Sequence, residues 1–129
     1  MLLDEYVSDL KDLQNIDFQE YEENKILRRA VERTLHLSVE ACLDIGQHII
    51  AQEGYRTPKD NRDTFHVLNE ENIISDSLLT KVNNMAGFRN LIVHDYAQID
   101  NKTVHEILQQ HLQDFDAFAQ AVFLYIESD

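Results

Sequence analysis

The sequence predicts an all-α domain built as a bundle of about five helices, and three observations lead there. Apolar residues recur at three- and four-residue intervals along most of the chain, the spacing that gathers them on one face of a helix. Only three Gly and one Pro punctuate the 129 residues, so few positions break a helix or demand a special backbone conformation. The length suits one core and leaves little room for a second. No internal repeat, low-complexity segment or linker marks a boundary, so residues 1–129 read as a single domain.

The elements follow in order. A first helix is expected over about residues 2–14, where Leu3, Tyr6, Val7, Leu10 and Leu13 form one stripe. Asn15 to Asp17 interrupts it. Asp17 followed by Glu20 has the spacing of a capping box and opens a long helix to about Gln52, with Leu27, Val31, Leu35, Cys42, Ile45 and Ile49 on one face and Gly54 as the stop. Ala30, Leu37, Ala41 and Ile50 lie off that face, so neighbours should contact this helix from several sides. Thr57-Pro58 is a helix-start signal, because proline at the first helical position loses no needed N–H, and it predicts a short helix over about 58–69. Ser75 to Ser77 can cap a fourth helix carrying Leu78, Leu79, Val82, Met85, Phe88, Ile92 and Val93 and ending near His94. Asp100 or Asn101 opens the last, with Val104, Ile107, Leu108, Leu112, Phe115, Phe118, Ala119, Val122 and Ile126. Its aromatics Phe115, Phe118, Phe123 and Tyr125 exceed what one face needs, so some can meet a partner subunit.

Charge and composition exclude several classes. No apolar run approaches the ~20 residues that span a bilayer, and the N-terminus lacks the parts of a signal peptide; a cytoplasmic protein without a membrane partner is expected. Lone Cys42 has no intramolecular disulfide partner and sits among apolar helix positions, as a small buried thiol does. The formal charge of −13 opposes nucleic-acid binding, which draws its affinity from Lys and Arg. The excess acid is confined to the flanks: residues 1–23 hold eight acids against Lys11, residues 95–129 hold seven against Lys102, and residues 24–94 hold nine of each sign. The middle of the chain can therefore carry a local anion site that the overall charge hides.

The chemistry concentrates in Gly87-Phe88-Arg89-Asn90-Leu91-Ile92-Val93-His94-Asp95-Tyr96, which sets a permanent cation, an imidazole and a phenol close together. Cleaving RNA without a metal needs proton transfer at the 2′- and 5′-oxygens and a cation for the charge developing on phosphorus; His94 suits the first and Arg89 the second. Five residues at 3.6 per turn put Arg89 and His94 about 140° apart on one helix. Either the helix ends between Val93 and Tyr96, redirecting the last residues, or a second subunit completes the site. Asn90 and His94 share a face at i and i+4, so the Asn90 amide can orient the imidazole or hold a phosphate oxygen. Asp95 reads equally as a charge partner for His94 or as a solvated residue.

Arg89, His94 and Tyr96 reproduce the Arg-x4-His-x-Tyr motif of the HepT-like HEPN toxins, and the chain resembles that family well beyond the motif. Val31 to Ile50, Met85 to Asp100 and the Asp114-Phe115-Asp116-Ala117-Phe118 segment all follow its pattern, over roughly residues 24–127. The resemblance implies an antiparallel HEPN-type bundle that forms a homodimer, with the motif at an inter-subunit cleft. It further implies a growth-arresting ribonuclease that acts on RNA without metal or cofactor, and a neighbouring MNT-type nucleotidyltransferase antitoxin that transfers AMP to the motif tyrosine, here Tyr96. RNA, not DNA, is the expected substrate. The alternative is a catalytically silent HEPN module that binds nucleotide or presents substrate to a partner nucleotidyltransferase.

The remaining polar clusters are read more plainly. Arg28 and Arg29 suit exposed ion pairs with Glu32, whereas Arg33 matches a recurrent position of the family pattern and is a candidate for the cleft as well as for an ion pair. Glu40 and Asp44, one turn apart, lack a convergent third ligand and read as a polar helix face. His36, His48, His66, His105 and His111 show no zinc-ligand spacing, so no metal is expected.

Overall fold

The computed structural model describes residues 2–94 and 100–128, with the side chains of residues 91–94 outside that description. The described residues form seven α-helices: α1 (Leu2–Asp12), α2 (Phe18–Glu23), α3 (Lys25–Glu53), α4 (Asn61–Glu70), α5 (Asp76–His94), α6 (Asn101–Gln110) and α7 (Leu112–Glu127). No strand occurs among them.

The all-α class is as expected, and the count rises from about five because one residue divides each of two expected helices. Asn24 has extended backbone angles, φ −105° and ψ 94°, and its side-chain oxygen accepts from the Leu27 N–H at 3.0 Å. That bond satisfies one of the unpaired donors at a helix start, so α3 begins anew there instead of continuing α2. His111 divides α6 from α7 at φ −117° and ψ 5°. Two expected start signals are also corrected. Asp17 stands at the N-cap of α2 but makes no side-chain capping bond. Helix α4 starts at Asn61 instead of Pro58, because Asp60 offers what a proline cannot, an oxygen accepting from the Asp63 N–H at 2.8 Å. The other signals act as read: Gly54 ends α3 in the left-handed conformation at φ 71°, Ser75 Oγ accepts from Leu78 N at 3.1 Å, and Asp100 caps α6 through Lys102 N at 3.0 Å.

Helix α3 is the centre of the bundle and packs against each of the other six helices. Val31, Leu35, Cys42, Ile49 and the off-face Ile50 are all buried. Burial also pushes the Cys42 thiol well above its usual range, which removes thiolate character and leaves it a packing residue. Gly46 lets α4 come close: a Cβ there would stand 3.0 Å from Thr64 Cγ2 and 3.1 Å from Leu68 Cδ1. Phe65 of α4 and Phe118 of α7 meet edge to face at 5.8 Å beneath this contact. At the far end, buried His105 of α6 bonds the Ile16 carbonyl at 2.7 Å and lies 5.3 Å from the Phe18 ring, pinning the turn between α1 and α2. Lys11 of α1 pairs with Asp116 of α7 at 2.8 Å.

The loop entering α4 is held by a single cation. Arg56 donates to both Asp63 oxygens at 2.7 and 2.9 Å and to both Glu70 oxygens at 2.8 and 2.9 Å, gripping the first and last turns of α4 together. Hydrogen bonds from this guanidinium hold the Asp63 and Glu70 carboxyls below the usual carboxylate range. A depressed folded-state pKa contributes stability that is full above the unfolded value, about 4, and is lost as pH falls through the folded value. Wild type is therefore expected to lose more Tm between pH 5 and pH 2.5 than Arg56→Ala, whose carboxyls have no such partner; equal losses in a thermal-melt series would refute the clamp.

Candidate active site

Helix α5 brings Arg89 and Asn90 to the edge of the bundle. Val82, Met85, Ala86 and Phe88 are buried and seat α5 on α3, α4 and α7, which leaves Arg89 at the rim with 17% of its side chain exposed and Asn90 in the open. The Arg89 guanidinium is held from two directions. Its Nε donates to Glu40 Oε1 of α3 at 2.6 Å, and Nη2 pairs with the same oxygen. Nη1 donates to Asn90 Oδ1 at 3.1 Å. A guanidinium has five N–H donors, so among the described residues one donor on each terminal nitrogen stays available for an anion.

Glu40 is the residue that sequence reasoning missed. Its carboxylate is no idle helix face: besides Arg89 it accepts from His36 Nε2 at 3.3 Å, while His36 Nδ1 lies 3.4 Å from Arg33 Nη1. Arg33 can only donate, so Nδ1 is the accepting nitrogen and the proton resides on Nε2, facing Glu40. Arg33, His36 and Glu40, at i, i+3 and i+7, thus form a polar row on α3 that ends on Arg89. That spacing is a same-face signal, and it was present in the sequence; the 49-residue jump from Glu40 to Arg89 was not.

The other site residues fall as follows. Arg33 joins Arg89 through His36 and Glu40. Asn90 turns its carbonyl oxygen to Arg89, and among the described residues its amide N–H2 has no partner. His94 closes α5, five residues beyond Arg89 on the same helix, and its side chain lies outside those described, as Asp95 and Tyr96 do entirely. Arg28 donates through Nη1 to the Glu22 carbonyl at the end of α2, and among the described residues it acts on Glu32 by charge without a direct ion pair. Burial raises the Glu32 carboxyl, with Arg28 and Arg29 opposing the shift.

The model of the ribonuclease HepT-like family matches residues 3–122, nearly the whole chain. The chain belongs to this HepT-like family. Among curated relatives, the mRNA nuclease HepT of Shewanella oneidensis is 33% identical over 106 residues, covering 82% of this chain and 80% of that one. The tRNA nuclease HepT of Aphanizomenon flos-aquae is 26% identical over 125 residues, covering 97% and 85%. Among solved structures, the tri-AMPylated Shewanella oneidensis HEPN toxin in complex with its MNT antitoxin superposes with a TM-score of 0.88 at 28% identity, over 95% of this chain and 92% of that one. YutE of Bacillus subtilis, at 20% identity and a TM-score of 0.82 over 98% and 87%, shares the fold. The HepT-like chain thus has the HEPN fold. No helix among its described residues is long and apolar enough to cross a membrane.

The Glu40–Arg89 bond has a measurable weight. A partly buried guanidinium deprived of its carboxylate leaves an uncompensated charge, and hydrogen bonds to charged groups contribute about 1.5–3 kcal/mol. A double-mutant cycle of Glu40→Ala and Arg89→Ala in denaturant unfolding should give a coupling of about 1–3 kcal/mol, whereas pairing Arg89→Ala with Asp44→Ala, exposed one turn along α3, should give almost none. Equal couplings would mean that Glu40 does not hold Arg89.

Proposed function

We propose that this chain is the ribonuclease of a toxin–antitoxin pair, cleaving RNA phosphodiesters without a metal ion. Arg89 stabilises the charge that develops on phosphorus, His94 transfers protons between the ribose oxygens and solvent, and the Asn90 amide positions phosphate or imidazole, with Asp95 and Arg33 in support. The observation that carries the reading is the manner in which Arg89 is held. Glu40 and Asn90 fix the guanidinium from two sides on the helix whose last residue is His94, about 7.5 Å further along its axis. A cation immobilised before substrate arrives stabilises a transition state without reorganising, and its fork of donors matches phosphate geometry.

The relatives sharpen the proposal. Proteins 33% and 26% identical to this one carry the names mRNA nuclease and tRNA nuclease, which supports RNA as the substrate class. The AMPylated toxin bound to an MNT antitoxin supports a nucleotidyltransferase partner that transfers AMP to Tyr96. Attached AMP would bring bulk and negative charge to the place where the RNA phosphate must sit. The functional unit is a cytoplasmic, single-domain homodimer. On one helix Arg89 and His94 stand about 140° apart, so a second copy completes the cleft, and exposed Phe123, Leu124 and Ile126 on α7 offer apolar surface for pairing. The −13 charge favours a second reading, a catalytically silent HEPN module that binds nucleotide or presents substrate to the nucleotidyltransferase.

Intact mass and RNA cleavage, measured together, separate the two. Wild type is expected to cut RNA in the presence of EDTA, Arg89→Ala and His94→Ala to lose about 10²–10⁴-fold in rate, and coexpression with the nucleotidyltransferase to add AMP mass at Tyr96 and abolish cleavage. Uncut RNA with a folded, unmodified dimer would leave the silent module.

A further inference from the structure

Gly87 occupies the interior of α5, where glycine costs stability relative to alanine. What occupies the space of its missing side chain is a cation from another helix. A Cβ built at Gly87 would collide with Nη2 of Arg62 and stand 3.6 Å from Cζ, and apart from α5's own backbone and Gly87's two chain neighbours no other described atom comes within 4 Å. The guanidinium therefore lies directly on the backbone of α5, two residues before Arg89. Arg62 is the second residue of α4 and is itself exposed. Among the described residues its guanidinium has no carboxylate partner, because the adjacent acids Asp63 and Glu70 are committed to Arg56.

A second contact shows that the approach belongs to a seam. One turn along α4 from Arg62, exposed His66 places Nε2 3.3 Å from Asn83 Nδ2, and Asn83 is one turn before Gly87 on α5. The two helices run antiparallel here, with His66 over Asn83 and Arg62 over Gly87. On α5 the positions Asn83, Gly87, Asn90 and His94 are spaced i, i+4, i+7 and i+11 and share one face. The seam thus leads along α5 from Asn83 to the position of His94, with Arg62 beside it.

We propose that Arg62 binds a phosphate of the RNA strand flanking the scissile one, and that Gly87 is the seat that lets it do so. This rests on the ribonuclease reading above. Seven residues separate Gly87 from His94, about 10 Å of helix, so the phosphate held by Arg62 is a neighbour of the reacting group and not the reacting group itself. A chain with net charge −13 repels a polyanion overall, and a guanidinium held free of carboxylates at the mouth of the site offsets that repulsion where it matters. Arg62 is thus a substrate-positioning residue.

The test uses the full chain with a 2′-O-methyl RNA oligonucleotide for binding and its cleavable counterpart for kinetics. Arg62→Ala should weaken binding and raise KM about threefold to tenfold with a smaller change in kcat. It should also flatten the plot of log K against log salt by about 0.7, the slope that one neutralised phosphate contributes on a single strand. Arg62→Lys should restore part of the affinity. Gly87→Ala keeps the charge but displaces it, so it should raise KM while Tm holds or rises. If wild type cleaves and binds RNA but Arg62→Ala shows an unchanged KM and salt slope, the assignment of Arg62 is overturned and the ribonuclease reading stands; if wild type neither binds nor cleaves, both fall.

Discussion

Burial of α3 by all six other helices is the constraint on which the rest of this structure depends. Nine residues of this 29-residue helix are buried, and beside them, along its middle turns, Arg33, His36 and Glu40 share one strip. Whatever faces that strip must answer it chemically. Arg89 does so, pairing with Glu40 across the contact of α5 with α3. Core packing and site geometry are thus one problem: the layer that buries Phe88 also brings the neighbouring guanidinium to its carboxylate, and the two cannot be adjusted separately.

The distribution of charge fits this arrangement. The flanking residues 1–23 and 95–129 carry 15 of the 24 acids, while the balanced segment between them supplies Arg33, Arg62 and Arg89. On the ribonuclease reading proposed above, this distribution would make entry of an RNA strand a matter of orientation, since a strand arriving at the flanking segments meets carboxylates.

Much of the fold was legible because its signals are local. Gly54, Ser75 and Asp100 act within three residues of themselves, through a left-handed turn or a capping bond, and a reader of sequence sees them directly. Asn24 carried the same kind of signal but was hidden inside a run of acceptable helix formers, and His111 interrupts α6 and α7 with neither Gly nor Pro to announce it. Pro58 illustrates competition between signals: its preset φ favours a helix start, yet Asp60 prevailed by supplying an acceptor. Arg89 and Asn90 were readable as a motif. Glu40 and Arg62 were not, since their roles arise from contacts with residues 49 and 25 positions away that only packing creates.

The neighbouring of α1 and α7 shapes how such a bundle closes. Most contacts here join helices close in sequence, the arrangement that lets helical proteins fold fast, but the Lys11–Asp116 pair spans 105 residues. The entropy of closing a loop grows only slowly with its length, so this pairing is tolerated. The stripe of Leu3, Val7 and Leu10 is buried where α1 packs on both α3 and α7. The first and last of the described helices therefore act as a latch, fastened to each other as well as to the centre.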